Sequence, residues 1–393
     1  MKGRILIVGA GFAGATYARE LAERGYAVDV IDRRGHIGGN AYDVVAASGV
    51  RVHLYGPHLF HTNNAQVANW LTRFGAFVPY EHRVVAALPD GRLVPAPINR
   101  TTINEVFGER LASEAEVRAF VARQAEPIAD PRNAAEYLLS QIGRTLTDLF
   151  FRPYTRKMWA LDLEDLSIAV VKRIPLRNDD EDRYFPGDRY QMLPRHGYAS
   201  LFEAILDHRE IRVFLNQPFE HAMLANYTHC FNSMAIDEYF DDAFGPLPYR
   251  SIRFHHRDVP LTYRKGGAAT VNYTDDGCFT RETDWSRLPS HIVRESGRKT
   301  VTKEEPCDYR DNAFERFYPV KTSDGRFDEI YDRYKALAGE DKSVTFIGRC
   351  GTYQYLDMHQ VINQSRMGAH AWMGSEVPVL RRTAFQAAAA EVA

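Results

Sequence analysis

Gly9, Gly11 and Gly14 close an apolar run, and Asp32 closes a second one. Each of these residue types has a task near a phosphate. Gly9 permits a tight turn, Gly11 lets a pyrophosphate approach the backbone, and Gly14 lets a helix lie close to a strand. The helix that starts here offers free N–H groups and a positive dipole end to an anion. Phe12 and Ala13 sit within that turn, and Asp32 is placed to accept hydrogen bonds from an adenosine ribose. The elements that must position them follow from periodicity. Residues 5–8 are continuously apolar, as in a central parallel strand. Residues 13–24 carry apolar groups at helical spacing, and Val28, Val30 and Ile31 form a second strand. Strand, turn, helix, strand and acid together make a dinucleotide site far more specific than a lone G-x-G-x-x-G.

Residues 33–40, RRGHIGGN, distinguish the dinucleotide. A basic pair followed by a Gly-Gly turn, including Arg33, Gly39 and Asn40, resembles FAD-binding folds of the oxidase and reductase type. FAD is therefore expected rather than NAD. Downstream, His53, His58 and His61 fall within residues 52–62. Zinc is one reading, a pocket lining beside the Tyr55-Gly56-Pro57 turn is another, and packed imidazoles are a third. No further ligand set has metal-like spacing, so no metal site is expected.

Residues 149–159, LFFRPYTRKMW, combine aromatics with Arg152, Arg156 and Lys157. They read either as packing beside a solvated face or as a stacking platform for a base beside charges for phosphates. Residues 170–185 run from basic through acidic to aromatic, the composition of an exposed, mobile loop. Residues 101–148 are mostly helical in pattern, broken by Gly, Pro and Asp. Residues 249–305 turn strand-rich and suggest an antiparallel sheet. Residues 343–348 form another buried strand, followed by a helix. The ends of the chain thus look α/β while its middle does not, which implies a discontinuous nucleotide domain with insertions. The last residues, 379–393, have no evident packing partner.

Composition narrows the partners. The chain has 393 residues, 45% of them hydrophobic and 25% charged, with a formal net charge of −2. That balance gives no bulk attraction for nucleic acid or an anionic membrane. The cysteines Cys230, Cys278, Cys307 and Cys350 contain no C-x-x-C pair, so reduced thiols are expected. No apolar run approaches the ~20 residues of a membrane span. The glycines of MKGRILIVGAG argue against a signal peptide, which leaves a cytoplasmic location as the expectation.

VGAGFAG, HIGGNAYD, YGPHLFHT, YTRKMW, KRIPLR, DRYF, FTR, TVTKEEP, FYPV and GRCGTYQYLDMHQVI occur in that order. Together they resemble the bacterial UDP-galactopyranose mutase family from about residue 4 to residue 375. The resemblance implies an α/β fold: a discontinuous FAD-binding Rossmann-like domain (1–80, 190–243 and 325–378), an inserted helical domain (100–165) and an antiparallel β-sheet domain (81–99, 166–189 and 244–324). A mobile loop would span 169–182, and 379–393 would form a flexible tail.

The same resemblance assigns roles. His58 would lie against the flavin, and Arg173 and Arg281 would clamp the diphosphate. Phe150, Tyr154, Thr155 and Trp159 would bind uridine. Tyr184, Asn272, Tyr318 and Tyr355 would line the sugar and phosphate pocket, with His82 near the sugar where some members carry asparagine. Leu59, Arg349, Leu356, Asp357, Met358 and Gln360 would complete the FAD site. The implied reaction interconverts UDP-galactopyranose and UDP-galactofuranose, with N5 of reduced FAD as nucleophile toward the anomeric carbon. An electron donor, a homodimer and a product used in cell-surface polysaccharide follow by the same analogy. Three rivals stand beside it: the same chemistry on UDP-N-acetylgalactosamine, UDP-arabinopyranose or a dTDP-deoxysugar; an FAD-dependent amine oxidase; and a non-catalytic flavin-binding scaffold.

Overall fold

The structure, a computed structural model, describes residues 3–172, 176–263 and 266–390, with side chains described as far as residue 375. Five parallel strands form the first sheet, in the order Ile211–Leu215, Ala27–Asp32, Arg4–Val8, His229–Asn232 and Val344–Phe346. Ile5, Leu6 and Ile7 are fully buried. Both faces of this central strand are covered, which is why its apolar run does not alternate. Helix Phe12–Ala22 lies on one face, packed against the long helix Met358–Ala390 and helix Gly197–Leu206. A side chain at Gly14 would place its Cβ 1.9 Å from the Gly9 carbonyl oxygen, so only glycine allows this contact.

A second sheet has seven strands: Tyr318–Pro319, Tyr249–Pro260, Arg298–Asp308, Arg281–Asp284, Thr270–Tyr273, Val84–Ala87 and Leu93–Ala96. Neighbours run antiparallel except Thr270–Tyr273 and Val84–Ala87, which pair in parallel. The long connection between those two strands carries the helical unit, and a connection of that length is what a parallel pair requires.

That helical unit comprises Arg100–Phe107, Glu114–Gln124, Ala134–Leu146, Arg152–Trp159 and Ile168–Lys172. Asn99 and Asn133 cap two of these helices, and Ser113 with Glu116 forms a capping box. Gly143, with φ 72°, kinks the third helix, and a π-helical turn Thr147–Phe151 then leads into the fourth. Ile103, Val117, Leu138, Ile142, Leu146, Met158 and Leu163 form the core of the unit. Val171 joins it, so the helix Ile168–Lys172 packs with the helical unit rather than the sheet.

Among the described residues of the expected loop, 176–182 is tied down. The backbone N–H of Arg177 donates to Ile98 at 3.0 Å and its side chain to the Glu181 carbonyl at 3.0 Å. Asp180 pairs with Arg100, and Asp182 with Arg83 at 3.0 Å. Arg173, Ile174 and Pro175 lie outside the described residues. Among the described residues, no helix is long and apolar enough to cross a membrane.

Candidate active site

A cavity of about 340 Å³ opens at the C-terminal ends of the parallel strands. Its floor is the glycine turn. The Ala10 N–H donates to Asp32 Oδ2 at 2.8 Å and the Arg34 N–H to Asp32 Oδ1 at 2.9 Å, so the acid braces the turn as well as lining the cavity. Gly39 faces Gly11: a Cβ built on Gly39 would lie 3.0 Å from the Gly11 Cα. Two glycine segments thus meet backbone to backbone and line the cavity together, beside the N-terminus of helix Phe12–Ala22. That cradle suits a pyrophosphate.

Twelve of the anticipated cofactor residues line this cavity: Gly9, Gly11, Phe12, Ala13, Asp32, Arg33, Gly39, Asn40, His58, Arg349, Leu356 and Met358. Gly14, Leu59, Asp357 and Gln360 stand outside the lining. Gly14 serves close packing, and Leu59 packs against the main core. Gln360 accepts the Asp357 N–H at 2.8 Å, at the start of the last helix.

His58 sits on the cavity wall. Its Nδ1 donates to the Gly56 carbonyl at 2.9 Å, which leaves Nε2 as the acceptor of a neutral ring. Burial pushes its pKa down to about 4. Its backbone is held from both sides: the N–H donates to His53 Nδ1 at 3.1 Å, and the carbonyl accepts from Tyr198 Oη at 3.0 Å. Arg349, nearby, donates to the Leu356 carbonyl through both Nε (2.8 Å) and Nη2 (2.6 Å). Its guanidinium lies over the rings of Tyr355 (4.8 Å) and Tyr318 (5.5 Å), which stack on each other at 5.4 Å.

The register of the second sheet builds the adjoining wall. Asn272 is directly opposite Arg281, and Arg281 is directly opposite Glu304. Directly opposed residues share a face, so the three form one row. Arg281 Nε donates to Asn272 Oδ1 at 3.3 Å, and its Nη1 lies 3.7 Å from Glu304 Oε2. Burial raises the pKa of Glu304 while Arg281 opposes that rise. His82 is buried, bonded to Tyr80 Oη at 3.0 Å, and its backbone carbonyl receives the Tyr184 N–H at 2.7 Å. Burial, reinforced by Arg281, lowers its pKa to about 3.

Helix Arg152–Trp159 supplies Tyr154, Thr155 and Trp159, and the π-helical turn before it supplies Phe150. Thr155 and Trp159 are buried, and the Trp159 ring meets Tyr318 edge-on at 6.3 Å. Burial raises the Tyr154 pKa, with Arg281, Glu304, Tyr184 and Tyr355 all close enough to act on it electrostatically. Aromatic and cationic groups from the helical unit, the sheet and the end of the chain therefore converge. The partner arginine expected at 173 lies outside the described residues.

Several residues here carried no signal of their own in the sequence. Arg34 is more enclosed than Arg33, pairs with Glu315, donates to Asn40 at 2.9 Å and lies over the Tyr55 ring at 4.5 Å. Ser233, Glu315 and Arg316 line the cavity from distant segments. Glu304 stood within the quoted TVTKEEP, yet only its register opposite Arg281 exposes its place in the site. Lys157, noted only for its charge, donates to the carbonyls of Tyr273 (2.9 Å) and Phe279 (3.0 Å), joining the helix to the sheet.

A discontinuous Rossmann-like domain with a glycine cradle, an inserted helical unit and a mixed sheet defines an FAD-binding flavoprotein class. Comparison with known proteins agrees. Residues 7–74 match the model of the NAD(P)-binding Rossmann-like domain, and residues 149–355 match that of UDP-galactopyranose mutase. A probable UDP-galactopyranose mutase of Klebsiella pneumoniae is 35% identical over 383 residues, covering 95% of this chain and 97% of that protein. A dTDP-fucopyranose mutase of Escherichia coli is 34% identical, covering 92% and 96%. The fold matches a crystal structure of reduced UDP-galactopyranose mutase with a TM-score of 0.75 at 17% identity, covering 95% and 94%. The chain belongs to the UDP-galactopyranose mutase family, whose members are isomerases, and its cofactor is FAD.

Proposed function

We propose that this enzyme interconverts UDP-galactopyranose and UDP-galactofuranose with FAD held reduced. The observation that carries the reading is the Asn272–Arg281–Glu304 row, set against a tyrosine wall that leads through Arg349 to His58. When bound and reduced, FAD supplies a nucleophilic nitrogen for the anomeric carbon.

The chain's own residues do the rest. Arg281 meets the charge that develops on the departing diphosphate, and Arg173 is its partner from the loop at 169–182. Tyr154, Thr155, Trp159 and Phe150 hold the uridine, with an aromatic face against the base. His82, Tyr184, Tyr318 and Tyr355 enclose the sugar, so that water is kept from a reaction in which the diphosphate must return. Neutral His58 presents Nε2 as an acceptor toward the cofactor cavity. The reaction has no net redox change, so an electron donor is needed only to bring the flavin to its reduced state. A cytoplasmic homodimer feeding cell-surface polysaccharide synthesis completes the reading.

A second substrate, a dTDP-linked deoxysugar, is favoured by one observation: the 34% identical relative named dTDP-fucopyranose mutase matches nearly as well as the galactose enzyme. The deciding experiment incubates dithionite-reduced protein with UDP-galactofuranose, dTDP-fucopyranose, UDP-N-acetylgalactosamine and UDP-arabinopyranose, and reads product ring form by NMR. Fastest turnover of the UDP-galactose pair is expected. Faster turnover of another sugar nucleotide would reassign the substrate. Equal activity with oxidised flavin would overturn the nucleophile.

A further inference from the structure

His53 and His291, 238 residues apart in the chain, meet with their Nε2 atoms 3.2 Å apart. Both rings are buried, and neither lines the FAD cavity. We infer that His53, fixed in one tautomer by His291, is a positioning residue that sets the His58 ring on the cavity wall. The inference rests on the reading of His58 as the ring that faces the flavin.

The hydrogens follow from the partners. Burial holds both rings neutral, so each carries one hydrogen. His291 Nδ1 lies 3.0 Å from the Pro289 carbonyl, which only accepts, so the His291 hydrogen is on Nδ1 and its Nε2 is a lone pair. His53 Nδ1 receives the His58 backbone N–H at 3.1 Å, so it is a lone pair too, and His53 carries its hydrogen on Nε2. That hydrogen meets the lone pair of His291 Nε2. Every ring nitrogen is then satisfied. The opposite tautomer of either ring would set donor against donor at one end and lone pair against lone pair at the other.

Packing keeps the arrangement in place. The His53 ring meets Trp285 at 4.9 Å and Tyr198 edge-on at 5.3 Å. Trp285 is itself pinned, its Nε1 donating to Thr302 Oγ1 at 2.6 Å. Tyr198 also donates to the His58 carbonyl, so His58 is gripped at its N–H by His53 and at its C=O by Tyr198. The His58 ring turns back onto the Gly56 carbonyl, and a Cβ built on Gly56 would lie 2.9 Å from Phe254 Cε1. The ring therefore takes its direction from this turn, and the turn takes its place from His53.

The test replaces one ring nitrogen at a time in the FAD-loaded protein, with flavin content confirming the fold of each variant. An asparagine Oδ1 stands where Nδ1 stands, and a glutamine amide where Nε2 stands. His53→Asn should keep the bond to His58 and lose the one to His291, and His53→Gln the reverse. Both should lose stability. Only His53→Gln should shift the flavin reduction potential and lower kcat, by up to about 10²-fold, with KM for the sugar nucleotide unchanged. His58→Ala should shift the potential at least as far, and adding His53→Gln to it should shift it no further. In the wild type, nitrogen NMR should find the His53 hydrogen on Nε2.

A wild-type potential in His53→Gln, with His58→Ala shifted, would overturn the inference alone. An unshifted potential in His58→Ala would overturn it together with the reading of His58. A shift in His53→Asn as large as in His53→Gln would make His53 a packing residue and overturn it too. Should His53→Gln lose its flavin, the wild-type tautomer decides: a hydrogen on His53 Nδ1 overturns the inference.

Discussion

The Arg281 guanidinium lies 3.7 Å from the buried Glu304 carboxylate, at directly opposed positions on adjacent antiparallel strands. The sheet therefore sets a buried carboxylate directly behind the cation that the proposed reading assigns to the diphosphate. This holds the guanidinium in place and tempers its charge.

Two roles of Arg281 can be separated by mutation. Arg281→Ala should lower turnover about 10²–10³-fold through loss of a charged donor to a developing oxyanion. It should also cost stability on the order of 3 kcal/mol, because Glu304 is left buried and unpaired. Adding Glu304→Gln should recover most of the stability and none of the turnover. Arg281→Lys should rescue only in part, since an ammonium lacks the planar fork. Denaturant titration and kinetics on the double variant read the two roles apart; recovery of turnover in the double variant would show that Arg281 is needed only to neutralise Glu304.

Gly14→Val should yield colourless protein. The Cβ alone would stand 1.9 Å from the Gly9 carbonyl and 2.8 Å from Ile7 Cγ2, so the helix must lift off the strand and the cradle must open. Flavin absorbance of the purified variant measures this. Full occupancy would mean that the cradle tolerates a displaced helix.

Acid should destabilise the protein well before its carboxylates titrate. His53, His82, His229 and His291 are buried, and burial lowers all four pKa values, to about 3 for His82 and about 4 for His229 and His291. In the unfolded chain each binds a proton near pH 6.5, so between about 6.5 and 4 the unfolded state binds more protons and stability falls with pH, by at most about 1.4 kcal/mol per unit for each group. The contribution is complete above pH 6.5 and is lost as pH falls toward the folded values. Urea midpoints measured from about pH 8 to about pH 5 should decline on the acid side. A flat midpoint across that window would show that these rings are neutral for no energetic reason.

Lys157→Met should loosen the joint between helix Arg152–Trp159 and the sheet that carries Arg281. Its ammonium satisfies two carbonyls, at Tyr273 and Phe279, and lies 3.3 Å from Asp275. Leaving those carbonyls unpaired should cost about 1–3 kcal/mol, and KM should rise more than kcat falls. Wild-type stability together with wild-type KM would make Lys157 a bystander.

Local pattern was enough for whatever is local in the molecule. The strand, turn, helix and acid around Gly9 to Asp32 are set by residues within one supersecondary unit, whose periodicity and glycine positions admit a single arrangement. The helical stretch also declared itself through its caps and breakers. The order of motifs along the chain was sufficient for the family. Register and chain crossing decided the rest. That Asn272, Arg281 and Glu304 form one row depends on how three strands align, and a shift of one residue would turn each side chain to the opposite face. The parallel pairing of Thr270–Tyr273 with Val84–Ala87 follows from the helical unit inserted between them in the chain. His61 has no evident partner in the sequence around it because Asp357 and His359, which stand beside it, lie at the far end of the chain. Only the packing of the last helix on strand Phe60–Thr62 brings them within reach. Spacing along a chain encodes neighbours within an element, whereas contacts between elements are chosen by which buried faces fit together.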